Sequence, residues 1–135
     1  MRIVTTLCLA VALLLTAPVS SFAKSKAKMP AGVKMEKTAA GEVFADSKGM
    51  TLYTFDKDSM PGKSVCNGPC AQNWPPLMAT AKSKPMGEWT VITRDDGSKQ
   101  WAYKGKPLYT FAKDTKPGDT TGDGFLNGAW HVAKP

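Results

Sequence analysis

Two aspartates, Asp58 and Asp114, close the same phrase written twice: Leu-Tyr-Thr-Phe-Asp-Lys-Asp at 52–58 and Leu-Tyr-Thr-Phe-Ala-Lys-Asp at 108–114. Facing each other on a pseudo-twofold axis, such carboxylates could hold a cation or divide acid and base work between them. Each also stands just ahead of a Pro-Gly pair, Pro61-Gly62 or Pro117-Gly118, where a carboxylate accepts the N–H bonds of a turn. The duplication favours the second role. Over 49–74 against 105–130, 11 of 26 positions are identical without a gap, and a duplicated fold needs its scaffold in both halves. Tyr53, Phe55, Asp58 and Trp74, with Tyr109, Phe111, Asp114 and Trp130, are therefore expected to be framework.

The residues the copies do not share are the better places to look for function. Cys66 and Cys70 fall opposite Gly122 and Leu126. Of the three cysteines, Cys8 falls in an N-terminal segment that reads as a cleaved export signal, and the two that remain predict one disulfide, acting as a staple. A redox pair favours Cys-x-x-Cys and haem attachment needs a histidine directly after the second cysteine; here the spacing is longer and Ala71 follows. His131 is the lone histidine. With the methionines it could serve Cu(I), although no two of them sit at Met-x-Met or Met-x-x-Met spacing. Asp119, Asp123 and Asn127 lie in a Gly-rich loop with oxygen ligands for Ca²⁺, but outside the EF-hand spacing. Ring stacking on the four tryptophans would suit a sugar, and Trp89 and Trp101 could face each other across a hairpin. No nucleophile–base set and no Gly-rich phosphate loop is present. The sequence nominates no catalytic residue and no cofactor.

The elements that position these residues read as short strands. Residues 42–45 and 51–55 are rich in β-branched and aromatic side chains, and 51–55 carries bulky groups on both faces. Trp89–Thr93 and Lys99–Tyr103 flank Asp95-Asp96-Gly97-Ser98, a hairpin signal. Residues 108–111 and 130–133 complete the strands; 71–74 adds one helical turn, stopped by Pro75-Pro76. No amphipathic stretch reaches helix length. The expected fold is mainly β: one small domain of two tandem pseudo-symmetric repeats, about 41–88 and 89–135.

The chain's start reads as an address. Arg2, the apolar run 7–17, Pro18 and Ser21-Phe22-Ala23 have the form of a signal peptide cleaved after Ala23, and the run is too short for a transmembrane span. Taking 23 residues from 135 leaves 112, enough for one core. Net charge is +7 before cleavage, and Lys24, Lys26, Lys28, Lys34 and Lys37 make 24–40 a basic flexible leader. Such a leader favours an anionic envelope surface or polymer. Nucleic acid is not expected as a partner in the periplasm or outside the cell.

The doubled Tyr-x-Phe-x-x-Asp, the Cys66–Cys70 loop, Trp74-Pro75-Pro76-Leu77 and the terminal Gly128-Ala129-Trp130-His131 together resemble an exported "secreted repeat" family. Its members are described as predicted lipoproteins with a Tyr-x-(Phe/Trp/Tyr)-x-x-Asp motif. This chain departs from them, since Cys8 lies at the front of the apolar run rather than just after it and gives no lipobox. The resemblance implies the fold and the export, and carries no activity. The expectation is a non-enzymatic envelope module that binds or scaffolds a partner. A copper- or calcium-binding protein is the first alternative, a hydrolase using Asp58 and Asp114 the second.

Overall fold

The computed structural model describes residues 28–135, with Ala12 alone ahead of them. Ala12 apart, the expected signal segment and the first lysines of the leader lie outside the described residues. The described residues are mainly β, in eight short strands and two helical turns. The domain begins earlier than residue 41. Val33–Thr38 forms strand β1 and pairs with β2 (Gly41–Asp46) across six registered positions, Val33 opposite Asp46 and Thr38 opposite Gly41. Lys34 and Lys37 are thus exposed strand residues of the hairpin, set among the half-buried Val33, Met35 and Glu36. Met29, Val33 and Met35 pack against the core, and their apolar contact outweighs the flanking charge.

After β3 (Tyr53–Phe55) come the helical turn α1 (Pro69–Asn73) and β4 (Met78–Ala79). The second repeat opens on the hairpin of β5 (Trp89–Thr93) and β6 (Lys99–Tyr103), followed by β7 (Lys106–Pro107), α2 (Phe125–Gly128) and β8 (Trp130–Val132). The hairpin has the predicted limits, but Trp89 stands opposite Tyr103 and Val91 opposite Trp101. The two tryptophans are therefore diagonal neighbours on one face. Residues 108–111 do not form a continuous ladder. Pro107 behind them and Pro75-Pro76 beside them lack donors, so Tyr109 makes only single bridges, to Tyr53 and to Pro76.

The two halves exchange their ends. β8, from the close of repeat two, pairs antiparallel with β3 of repeat one. β4, from the close of repeat one, pairs with β6 of repeat two. Backbone bonds repeat across the duplication. The Ala133 N–H donates to Leu52 O (2.8 Å) and the Leu77 N–H to Leu108 O (2.8 Å). The Asp56 N–H donates to Ala129 O (2.8 Å) and the Ala112 N–H to Asn73 O (2.9 Å).

Strand alternation sends Leu52 and Leu108 into one apolar cluster, with Phe44, Trp89, Trp101 and Ala133, and the aromatic motif residues into another. The second cluster is a column of rings in the order Phe55, Trp130, Trp74, Phe111. Successive centroids lie 4.2, 3.7 and 4.1 Å apart, with planes within 20° of parallel. Each phenylalanine stacks on the tryptophan of the other repeat. Tyr53 meets Trp74 edge-on and Tyr109 meets Trp130 likewise, at 5.4 and 5.2 Å. Such pairs contribute about 0.5–1.5 kcal/mol each beyond area burial.

All four tryptophans are buried, which removes them as exposed sugar platforms. The column leaves no slack beside Gly122, where an added Cβ would fall 2.7 Å from Trp74 Cη2 and 3.0 Å from Phe111 Cδ1. Gly122→Ala is accordingly expected to cost ~1–3 kcal/mol by overpacking, measured by urea unfolding.

Candidate functional site

The doubled motif is braced crosswise. The Tyr53 hydroxyl donates to Asp114 Oδ2 at 2.6 Å, and the Tyr109 hydroxyl donates to Asp58 Oδ2 at 2.5 Å. Each tyrosine thus takes the aspartate of the other copy. Between them the backbones meet directly: the Tyr53 N–H donates to Tyr109 O (2.7 Å) and the Tyr109 N–H to Tyr53 O (3.0 Å). The second oxygen of each carboxylate closes the loop that follows it. Asp58 Oδ1 accepts the Val65 N–H at 2.7 Å, and Asp114 Oδ1 accepts the Thr121 N–H at 3.0 Å. Both aspartates are buried.

Burial sets the electrostatics. It pushes the Tyr53 and Tyr109 hydroxyls far above the ordinary phenol range, and the carboxylate beside each adds to the shift. Burial also raises Asp58 above the usual carboxylate range, opposed by the Tyr109 hydroxyl, the Val65 N–H and the positive Arg94. Arg94 is buried on the repeat-one side. Its Nη1 donates to Ser64 Oγ (3.0 Å) and Gln100 Oε1 (2.8 Å), and its Nη2 to Cys66 O (2.6 Å) and Asn67 Oδ1 (3.2 Å). Ser64 in turn bonds the Tyr109 hydroxyl at 2.6 Å, so hydroxyls connect Arg94 to Asp58. This Arg94 cluster ties the cysteine loop to the second hairpin. Cys66 and Cys70 form the expected disulfide, their Cα atoms 5.2 Å apart.

The remaining candidates are dispersed. Asp119 Oδ2 accepts the Thr115 and Lys116 N–H groups at 3.0 and 3.2 Å, and the Thr115 bond is the largest cause holding its carboxyl below the usual range. Asp123 Oδ1 takes the Val132 N–H (3.3 Å), and Asn127 sits in the left-handed region (φ 55) before Gly128. His131 turns to Asp56, Nε2 to Oδ2 at 2.8 Å. Among the described residues no three His, Cys, Asp or Glu side chains group as metal ligands. Asp56, Arg94 and the lysines beside His131 went unnominated from the sequence. The signal was there in the mismatch of the copies: His131 falls opposite Pro75 and Asp56 opposite Ala112.

Fold and site define an internally duplicated β domain whose halves exchange strands, rings and tyrosine–carboxylate bonds. The chain belongs to the family described as "Secreted repeat of unknown function", whose model matches residues 34–78 and 90–134. The match takes all of β1 but Val33 into the first repeat, in agreement with the hairpin. No curated protein and no solved structure matches the chain. No helix among the described residues is long and apolar enough to cross a membrane.

Proposed function

We propose that the protein is a non-enzymatic module of the bacterial envelope, a rigid two-fold framework that presents one unshared face to an anionic partner. The observation that carries this is the crossed bracing. Asp58 and Asp114 each accept a tyrosine hydroxyl and a loop N–H, which commits the repeated motif to holding the halves together. A hydrolase built on these two carboxylates would need them open to water as acid and base; their burial and existing bonds weigh against it. A metal-binding role would need ligands gathered in one place, and the dispersal of Asp119, Asp123 and His131 weighs against that. Partner recognition then rests on the protein's positive charge, from the lysines near its start and those of the folded domain.

The test is cosedimentation of the exported protein with phosphatidylglycerol vesicles against phosphatidylcholine vesicles. Wild type should pellet with the former alone. Asp114→Ala should melt at lower temperature yet, assayed below that temperature, bind as wild type does. An unchanged melting curve with lost binding would reverse the roles given to framework and face.

A further inference from the structure

Beside the framework, β3, β8 and the turn between β6 and β7 border an open groove of about 360 Å³. Its charged rim is Lys104, Lys106 and Lys134 with His131 and Asp56, and Thr54 adds a hydroxyl. Three ammonium groups thus stand against one carboxylate, which His131 already engages. Among the described residues none of these lysines has a carboxylate within ion-pair distance.

Three comparisons within the molecule mark the groove as more than scattered surface charge. The first is composition. At the constant offset, Asp56, Lys106, His131 and Lys134 become Ala112, Met50, Pro75 and Met78, and of the five ionisable positions only Lys104 keeps its type, as Lys48. The framework is written twice and the charged rim, Lys104 apart, once.

The second is shape. A Cβ built on Gly49 would fall 2.9 Å from Pro117 Cβ, so that half is closed. At the equivalent Gly105 nothing lies within 4 Å. There Pro61, Gly105, Lys104 and Lys106 border an open depression of about 390 Å³ adjoining the groove, with the buried Asp58 at its edge.

The third is backbone. Lys104 (φ 49) and Gly105 (φ 79) form a two-residue turn between the paired Tyr103 and Lys106. Such turns favour Asn-Gly, because a left-handed backbone crowds any Cβ and the short amide of asparagine offsets this with a local hydrogen bond that lysine cannot make. A lysine is kept where asparagine would fit the turn better, and residues in disfavoured backbone regions cluster at binding sites.

We infer that this groove binds a multiply charged phosphate group, its oxygens drawn to the ammonium groups of Lys104, Lys106 and Lys134. Lysines act as mobile point charges suited to a compact, multiply charged anion, whereas a planar carboxylate favours the fork of an arginine. The adjoining depression shares Lys104 and Lys106 but also Asp56, and with Asp58 its two lysines meet two carboxylates, so the phosphate belongs to the groove itself. The inference rests on the anionic-partner reading above and narrows it to one site and one ligand chemistry.

Calorimetric titration of the exported protein with sodium tripolyphosphate tests it. Lys104→Ala/Lys106→Ala should weaken binding by about tenfold or more, whereas Lys82→Ala/Lys84→Ala, an equal loss of charge from the linker, should change it by less than about twofold. Lys104→Asn should weaken binding while holding or raising the melting temperature. Equal losses in both double variants would reduce the effect to net charge and overturn the site.

Phosphatidylglycerol vesicles separate the sources of phosphate. Tripolyphosphate displacing the protein from vesicles assigns the groove to lipid headgroups, and tripolyphosphate binding without displacement assigns it to a soluble phosphate. Vesicle binding that the groove variant keeps in full, with no tripolyphosphate binding, overturns the groove and leaves the envelope-module reading standing. Wild type binding neither overturns both.

Discussion

Asp114→Ala is expected to lower stability by about 3 kcal/mol, or roughly 15 °C in melting temperature for a domain of this size. The substitution strips the Tyr53 hydroxyl of its acceptor and leaves the Thr121 N–H without its carboxylate partner. The Thr121 hydroxyl loses its bond to the same oxygen. The Tyr53 hydroxyl is fully buried, and a buried group left without its acceptor costs more than the bond itself contributes, because water cannot replace what was removed; Thr121 is exposed and adds less. Asp114→Asn, which keeps one acceptor oxygen, should cost less than half as much. Thermal unfolding followed by tryptophan fluorescence reads both. A loss below ~0.5 kcal/mol for the alanine variant would mean that the carboxylate is not part of the framework.

The second large effect lies in alkali. Tyr53 and Tyr109 have folded-state hydroxyls raised far above the ordinary value of about 10, chiefly by burial. A raised acid holds its proton more tightly in the folded chain than in the unfolded one. Its contribution is therefore complete below pH 10 and is lost as pH climbs from 10 towards the folded values. In that window each buried tyrosine should remove ~1.4 kcal/mol of stability per pH unit. With two such groups, a domain of ordinary stability unfolds within about two to three units above pH 10. Tyrosinate absorbance from Tyr53 and Tyr109 should appear together with loss of tertiary structure. Two phenols ionising near pH 10 with the fold intact would contradict their placement.

The β class, the duplication, the disulfide and the β5–β6 hairpin were legible because each rests on local chemistry. Alternation, Asp-Gly turn residues and cysteine count are properties of neighbours in sequence. The β1 strand was not legible because the lysines at 34 and 37 look like solvated charge until β2 is seen opposite them. The crossing of the motif was equally hidden. The spacing Tyr-x-Phe-x-x-Asp shows that the tyrosine and aspartate recur, and says nothing about which copy each one meets. Only the exchange of β8 and β4 between halves decides that. For the groove, a line-by-line comparison of the copies marks the unshared His131 and Asp56, but the closeness of Lys104, Lys106 and Lys134 is tertiary.

Because every motif residue reaches across, neither half can satisfy its own tyrosine, aspartate or ring stack. The exchange accounts for the identity of the motif in both copies more directly than a shared active site does. It also leaves the unshared residues free of that constraint.

A double-mutant cycle on the crossed pair measures this most directly. Tyr53→Phe combined with Asp114→Ala should show a coupling of about 1–3 kcal/mol, since each substitution removes the same buried bond. Tyr53→Phe combined with Asp58→Asn, the pairing within one repeat, should be additive to within ~0.5 kcal/mol. Strong coupling within the repeat and none across it would contradict the exchanged framework.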